Sequence, residues 1–265
     1  MPSPATLTKV LVTGFGRFAD WDNPSWEIVS RLPGTLPNNI EVTVHPEAIR
    51  VAYHPVFELV PQLYAQDDYD IVLHTGVAAG RDYFAVEQSS SQSRLAKYGY
   101  QNIPDVDDKV FTVAEQEAAW ADQPLSLETD LDLIRVVELW QNRTSHIAFP
   151  PFDDDDTQDL GTAATEAWRS ARAGGPVEVK VENDFDYASA PENPVTDDVW
   201  WSDEVGFYLC GFIYYTGLVE KSKTGARDVV FMHVPYLETE DQYAMGVEVT
   251  IELITSLVES WREGQ

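Results

Sequence analysis

The feature that most constrains the fold is a regular alternation of short apolar runs with helical patterns in the first part of the chain. Three runs have the length and the β-branched content of buried strands, and the segments between them place apolar residues at helical spacing. The predicted strands are Lys9–Thr13, Ile40–His45 and Tyr69–His74, and the predicted helices are Pro24–Leu32 and His54–Ala65. Strands that alternate with helices predict a mostly parallel sheet covered on both faces. We therefore expect an α/β fold, a three-layer αβα sandwich around that central sheet.

The pattern degrades between about residues 112 and 199, where acidic and proline-containing stretches are typical of loops. We interpret these residues as an acidic insertion in a single domain that spans residues 1–265. Helical periodicity returns near Cys210, and a last strand and a long amphipathic helix follow it. The predicted elements of this half are helices at Leu131–Gln141, Thr162–Arg172, Cys210–Val219 and about Glu240–Trp261, and a strand at Asp228–His233.

The charge of the chain excludes several classes of partner. The sequence has 45 acidic and 17 basic residues, a formal net charge of −28. A strongly negative surface repels nucleic acids and anionic membranes, so we expect neither as a partner. The first nine residues contain no apolar stretch typical of a signal peptide, and we expect a cytoplasmic protein. No cofactor or metal is expected, and the sequence makes no prediction of the oligomeric state.

Cys210 is the only cysteine of the chain, so it cannot form an intrachain disulfide. It is either a packed, inert thiol or a reactive one. One strand downstream lies His233, the kind of partner that a thiolate nucleophile needs, although a histidine between apolar residues is also common in cores. Glu87 follows a glycine-containing turn after the third strand, at the sheet edge where open α/β sheets bind ligands. It is a candidate third member of the site, or else a solvated loop carboxylate.

Six segments of the sequence stand out together: Val12–Phe18, Asn23–Glu27, Gly76–Arg81 together with Glu87, Ile103–Asp105, Gly206–Cys210 and Met232–Tyr236. They resemble the pyroglutamyl peptidase I family, cysteine peptidases that remove an amino-terminal pyroglutamate from peptides. The resemblance covers roughly residues 8–111 and 200–262 and preserves the order Glu, Cys, His.

This resemblance implies a Cys-His-Glu site that acts on a peptide or a small pyroglutamyl amide. Cys210 would be the nucleophile, His233 the acid and base, and Glu87 the group that orients the imidazole. We further expect the amino terminus of the Cys210 helix and a nearby imidazolium to stabilise the thiolate. The family's two pocket phenylalanines would be Phe15 and Phe18; we add Tyr208 and Leu209, because a neutral lactam ring suits an apolar pocket. These four side chains could equally be core residues, and Asp105 a turn former.

Three positions depart from the family pattern near the predicted site. Val77 stands where the family usually has glutamine, Asn102 where it has arginine, and Gly211 where it has asparagine. Val77, a substrate-binding position by this resemblance, would leave a lactam hydrogen bond unmade, which costs about 1–3 kcal/mol. Arg94 or Lys97, in a segment longer than the family's, could supply the missing charge. These departures keep open an altered or non-catalytic relative that binds a small amide or a peptide amino terminus without cleaving it.

A weaker alternative is a dinucleotide-binding domain. Gly14–Ala19 fits the pattern G-x-G-x-x-A directly after a strand. In such a domain the helix opens within the glycine motif, whereas here Asp20, Asp22 and Pro24 postpone the helix and add negative charge.

Overall fold

A computed structural model of the chain describes residues 6–18, 22–93, 99–149 and 198–265. Its centre is a seven-stranded sheet in the order β2-β3-β1-β4-β9-β5-β8. The strands β3, β1, β4 and β9 are parallel neighbours, β5 is antiparallel to β9, and β8 is parallel to β5. A separate two-stranded sheet pairs β6 with β7. The strands are β1 Thr8–Gly14, β2 Thr35–Leu36, β3 Ile40–Val44, β4 Ile71–Val77, β5 Phe84–Glu87, β6 Ser89–Ser91, β7 Ser126–Glu128, β8 Val199–Ser202 and β9 Val229–Val234.

Helices cover both faces of the seven-stranded sheet, so the fold has the three layers that the sequence predicts. Helices α1, α4 and α6 pack on one face, in a core that contains Ile28, Trp140 and Leu253. Helices α2, α3 and α5 pack on the other face, in a core that contains Tyr53 and Phe212. The helices are α1 Pro24–Val29, α2 Tyr53–Tyr64, α3 Val113–Trp120, α4 Leu133–Thr144, α5 Leu209–Ser222 and α6 Glu240–Glu263.

Successive side chains of β9 lie in different cores, because they point to opposite faces of the sheet. Val230 and Met232 lie in the α1/α4/α6 core, and Phe231 lies in the α2/α5 core. Because successive side chains of a strand point to opposite faces, His233 shares the α2/α5 face with Phe231. This face of the sheet, at the carboxyl ends of β1, β4 and β9, is where the candidate site lies.

The described part of the predicted insertion belongs to the core instead. Trp120 at the end of α3 and Trp140 in α4 are buried, each in one of the two cores. Residues 112–149 therefore bury apolar side chains that help to cover the sheet, and α4 overlaps the predicted helix Leu131–Gln141. The predicted helix Thr162–Arg172 and the rest of the expected insertion lie outside the described residues. No helix in the described ranges has the length and apolar character needed to cross a bilayer.

Candidate active site

His233 and Glu87 form the centre of the candidate site. The Nδ1 atom of His233 lies 2.7 Å from Oε1 of Glu87, and both side chains are buried. In the sheet register His233 pairs with Ala85, two residues before Glu87 on the antiparallel strand β5. The bond to a carboxylate makes Nδ1 the protonated nitrogen, so Nε2 of the neutral ring has a free lone pair and can act as a base.

Two further contacts hold the Glu87 carboxylate in place. Arg81, from the turn after β4, donates from Nη1 to Oε1 at 2.7 Å. The backbone N–H of Glu204 donates to Oε2 at 2.9 Å. The family motif Gly76–Arg81 includes Arg81 but assigns it no role. The sequence does not predict Glu204, because its contact uses the backbone N–H, which almost every residue type has.

Cys210 is the second residue of α5 and lies over strand β4. A Cβ atom built on Gly76 would come within 3.0 Å of the Cys210 sulfur. Gly76 is the register partner of His233. Register partners in a parallel sheet lie side by side, about 5 Å apart, with their side chains on the same face. The sulfur therefore lies above the position adjacent to His233, and a side chain at residue 76 would displace it.

The pKa values of these three groups follow from burial and from the charges around them. Burial would raise the pKa of Glu87, but the hydrogen bond from His233 and the Arg81 charge lower it to about 2. Burial lowers the pKa of His233, against the opposing effect of Glu87. Burial and the Glu87 charge raise the pKa of Cys210 to about 12, and Arg81 opposes them. Near neutral pH the site holds an ionised carboxylate, a neutral imidazole and a protonated thiol.

This charge state differs from the preformed thiolate expected from the sequence. Cys210 does lie in the first turn of a helix, as expected, but desolvation and a nearby carboxylate outweigh the helix dipole in this unliganded state. The arrangement is suited to a thiol that loses its proton to His233 during attack.

Phe15 lies beside the sulfur and is held through its backbone. Its ring is 3.4 Å from the same built Cβ on Gly76. Its N–H donates to Oγ of Ser25 at 3.1 Å, and that hydroxyl in turn donates to Oδ1 of Asn23 at 2.8 Å. Asn23 is also the N-cap of α1, with Pro24 following it. Asparagine directly before proline is the sequence signal for this cap.

The other predicted pocket residues divide into two groups. The half-buried rings of Phe18 and Tyr208 meet edge to face at 5.7 Å, and Tyr208 meets Tyr53 at 5.8 Å, which makes an aromatic wall next to Cys210. Leu209 is buried in the α2/α5 core. Val77 packs against the opposite core, because it follows Gly76 on an alternating strand. The structure thus brings Phe15 and Tyr208 close to the thiol, adds Phe18 through its contact with Tyr208, and turns Val77 away.

Asp105 ties the loop after β6 to helix α2. Its Oδ2 accepts from the N–H of Tyr53 at 2.8 Å, and its Oδ1 accepts from the N–H of Asp107 at 2.9 Å. Ala52, the N-cap of α2, has no side chain that can accept a hydrogen bond, so Asp105 supplies one. Asp105 therefore has the structural role of a cap and turn former.

Comparison with known proteins identifies the family. The family model described as pyroglutamyl peptidase matches residues 8–142, half of the chain. The chain belongs to the pyroglutamyl peptidase family. The pyrrolidone-carboxylate peptidase of Thermococcus onnurineus is 38% identical over 81 residues, 30% of this chain and 39% of that protein. Pyroglutamyl-peptidase 1 of Homo sapiens is 25% identical over 254 residues, 94% of this chain and 91% of that protein.

The solved structures show the same fold. A mutant pyrrolidone carboxyl peptidase from the hyperthermophile Pyrococcus furiosus has a TM-score of 0.63 and 19% identity, and the match covers 95% of this chain and 99% of that one.

The aligned part spans only about two fifths of the Thermococcus relative, 39% of its length. The family-model match ends before Cys210 and His233, whereas the alignment with the human protein spans nearly the whole chain.

The glycine motif after β1 does not have the geometry of a dinucleotide turn. Helix α1 begins at Pro24, well after Gly14 and Gly16. A Cβ on Gly14 would come within 2.9 Å of the Ser25 carbonyl, so Gly14 serves the close packing of α1 on β1. Membership of the pyroglutamyl peptidase family accounts for this motif without a nucleotide. Among the described residues no cluster of three histidine, cysteine or acidic side chains could hold a metal ion.

The departures from the family pattern have different structural settings. Asn102 is exposed, and Arg94 and Lys97, the candidate replacements for its missing charge, lie outside the described residues. Gly211 is closely packed: a Cβ there would come within 1.9 Å of the Gly206 carbonyl oxygen. An asparagine at this position would require the loop before α5 to move.

Proposed function

We propose that this protein is a cysteine peptidase that removes an amino-terminal pyroglutamyl residue from peptides. Cys210 is the nucleophile, His233 the general base and acid, and Glu87 the orienting carboxylate. The observation that carries the proposal is the 2.7 Å contact between Nδ1 of His233 and Glu87, on the same sheet face as the Cys210 sulfur. A nucleophile, a base and a group that orients the base are the parts that amide hydrolysis requires.

The reaction begins from a neutral thiol and a neutral imidazole. As Sγ of Cys210 attacks the pyroglutamyl carbonyl carbon, the thiol proton moves to Nε2 of His233, and the carbonyl π electrons move to oxygen. We assign the stabilisation of that oxyanion to backbone N–H groups in the first turn of α5. The imidazolium then protonates the leaving amine as the C–N bond breaks. Water, deprotonated by His233, attacks the thioester and releases pyroglutamate and the thiol.

Glu87 remains ionised throughout this cycle. Its pKa of about 2 keeps it negatively charged at neutral pH, where it stabilises the imidazolium formed in each half of the reaction. The aromatic rings of Phe15, Phe18 and Tyr208 form an apolar wall that suits the neutral, compact lactam ring.

Release of amine from a pyroglutamyl arylamide tests the proposal. We expect turnover by the wild-type protein and a loss on the order of 10³-fold or more in Cys210→Ser, because removal of a nucleophile has effects of that size. Because Cys210 is the only cysteine, iodoacetamide modifies a single thiol, and its stoichiometric reaction should abolish turnover. Full turnover by Cys210→Ala would refute the assignment of the nucleophile.

A second candidate function is binding of a pyroglutamyl amide without cleavage. The raised pKa of Cys210 favours it, because a protonated thiol is a poor nucleophile. It predicts that pyroglutamyl amide raises the melting temperature while the arylamide releases no amine, even in a single-turnover burst. A measurable burst of one amine per protein would exclude it.

A further inference from the structure

Arg81 is a largely buried cation to which the proposed reaction assigns no role. Its side chain is 13% exposed, and the Glu87 side chain that it contacts is 0% exposed. A buried charge is retained at a cost unless it is paired and hydrogen-bonded. The contacts of Arg81 therefore indicate what it does for the site.

These contacts form a closed ring of hydrogen bonds. Nη1 of Arg81 donates to Oε1 of Glu87 at 2.7 Å, and Nη2 donates to the carbonyl oxygen of Glu204 at 2.9 Å. The N–H of Glu204 completes the ring by donating to Oε2 of Glu87 at 2.9 Å. A planar guanidinium can bridge two acceptors in this way, whereas a lysine ammonium lacks the fixed fork of donors.

The ring joins the two halves of the candidate site. On one side is Glu87, whose Oε1 also contacts His233. On the other side is Glu204, which leads through Gly206, at a φ of 79°, into the first turn of α5 and Cys210. A displacement of Arg81 would therefore move both the carboxylate that orients the imidazole and the segment that carries the thiol.

We propose that Arg81 is the positioning residue of this site, which fixes the Glu87 carboxylate against His233 and couples it, through Glu204, to the nucleophile segment. The proposal rests on the proposed function for its effect on turnover. Its hydrogen bonds go to Glu87 and Glu204, so apart from its charge Arg81 acts on the reacting groups through those two residues.

The charge of Arg81 gives the proposal a readout that a merely structural role would not move. His233 is faced by Glu87 from β5, by Arg81 from the turn after β4 and by Cys210 from α5. Arg81 repels the imidazolium and favours the thiolate. Removal of its charge should raise the pKa of both His233 and Cys210.

The experiment compares Arg81→Gln and Arg81→Lys with wild type by pH profiles of turnover and of iodoacetamide alkylation. We expect Arg81→Gln to lower kcat on the order of 100-fold, the effect of a small misplacement of catalytic groups, with a smaller change in KM. The acidic limb of its kcat/KM profile and the pH midpoint of alkylation should both move to higher pH. Arg81→Lys keeps the charge but not the fork of donors, so we expect kcat to fall on the order of tenfold. The acidic limb and the alkylation midpoint should stay at their wild-type pH.

The matched control is Arg135→Gln, which also removes an arginine that donates two hydrogen bonds. Arg135 donates from Nε and Nη2 to Glu263 at 2.9 and 3.1 Å, between α4 and α6 on the far face of the sheet. We expect wild-type kinetics from this control, and far-ultraviolet circular dichroism confirms the folding of each variant.

The outcomes separate this proposal from the proposed function. If folded Arg81→Gln has the wild-type kcat, acidic limb and alkylation midpoint, the positioning role is overturned. If Arg81→Lys has the wild-type kcat, the need for a guanidinium that bridges two acceptors is overturned. If Arg81→Gln does not fold, the kcat of Arg81→Lys tests the positioning role: a reduced kcat supports it and a wild-type kcat overturns it. If wild type releases no amine, the peptidase is refuted, and the alkylation midpoints still decide the role of Arg81.

Discussion

Two buried histidines in adjacent strands show how partners decide what a residue does. His74 in β4 lies 2.7 Å from Oγ1 of Thr13 through Nδ1 and 2.9 Å from the Tyr64 hydroxyl through Nε2. His233 in β9 has a carboxylate on Nδ1 instead. Both ring nitrogens of His74 are occupied by neutral hydroxyls, so it is a core residue, whereas the carboxylate at His233 would stabilise the imidazolium that the proposed reaction forms.

His74 also predicts how stability depends on pH. Burial lowers its pKa to about 3 from 6.5, so the unfolded chain binds a proton at a pH where the folded chain does not. The free energy of unfolding should therefore fall as the pH drops below 6.5 toward 3. His74→Gln should be less stable at neutral pH by about 1–3 kcal/mol, through its lost hydrogen bonds, but should have a shallower pH dependence.

Urea unfolding at several pH values measures both effects. The control is His146→Gln, which replaces a histidine that is 63% exposed. An equal slope in wild type and His74→Gln would contradict the assignment.

At the scale of elements, the critical piece is helix α5 and the way it begins. From Gly211 to Val219 every residue is buried, so the helix is enclosed by the sheet and by the helices around it. Cys210 lies at its first turn, where the chain arrives through Gly206 in the left-handed region. The position of the thiol is thus set by how closely this helix approaches the preceding loop.

Gly211→Ala tests that approach. The new Cβ would lie 1.9 Å from the Gly206 carbonyl oxygen, a backbone atom that cannot rotate away. We expect a loss of about 1–3 kcal/mol in the free energy of unfolding, as for overpacking, together with lower kcat. Gly34→Ala is the matched control, because the nearest atom to its Cβ would be 3.9 Å away. Denaturant unfolding that shows equal stability for the two variants would exclude close packing at Gly211.

At the scale of the whole molecule, the net charge of −28 is the dominant electrostatic fact. Surface ion pairs cannot neutralise this charge, because only 17 basic residues are present to pair with 45 acidic residues. Exposed pairs also contribute little individually, about 0–1 kcal/mol. Repulsion among the unpaired carboxylates therefore opposes the compact state.

Screening of this repulsion should stabilise the fold. Between about 0.05 and 0.5 M KCl at neutral pH, we expect the melting temperature to rise by about 3 °C or more. Near the sequence pI of 4.2 the net charge vanishes, and the same salt step should have little effect. Calorimetric scans at the two pH values provide the measurement. An equal salt effect at both would show that general salting-out, rather than charge repulsion, is responsible.

The first half of the fold could be predicted because its signals are local. The predicted strands and helices up to His74 agree with β1, α1, β3, α2 and β4 to within a few residues. The sequence does not predict the short strands β2, β5, β6, β7 and β8, since each has only two to four residues and is defined by its pairing partners. For the same reason β5, antiparallel in a mostly parallel sheet, leaves no pattern that reveals its direction.

The sequence alone determined the three-layer α/β fold and the candidate groups Cys210, His233 and Glu87, through apolar periodicity and family motifs. Only the tertiary structure decided the face on which each side chain lies, which placed Phe15 beside the sulfur and turned Val77 away. It also decided the charge state of the site and the ring that joins Arg81, Glu87 and Glu204. Periodicity and motifs are properties of neighbouring residues, whereas burial, pKa and backbone contacts depend on atoms that are distant in the chain.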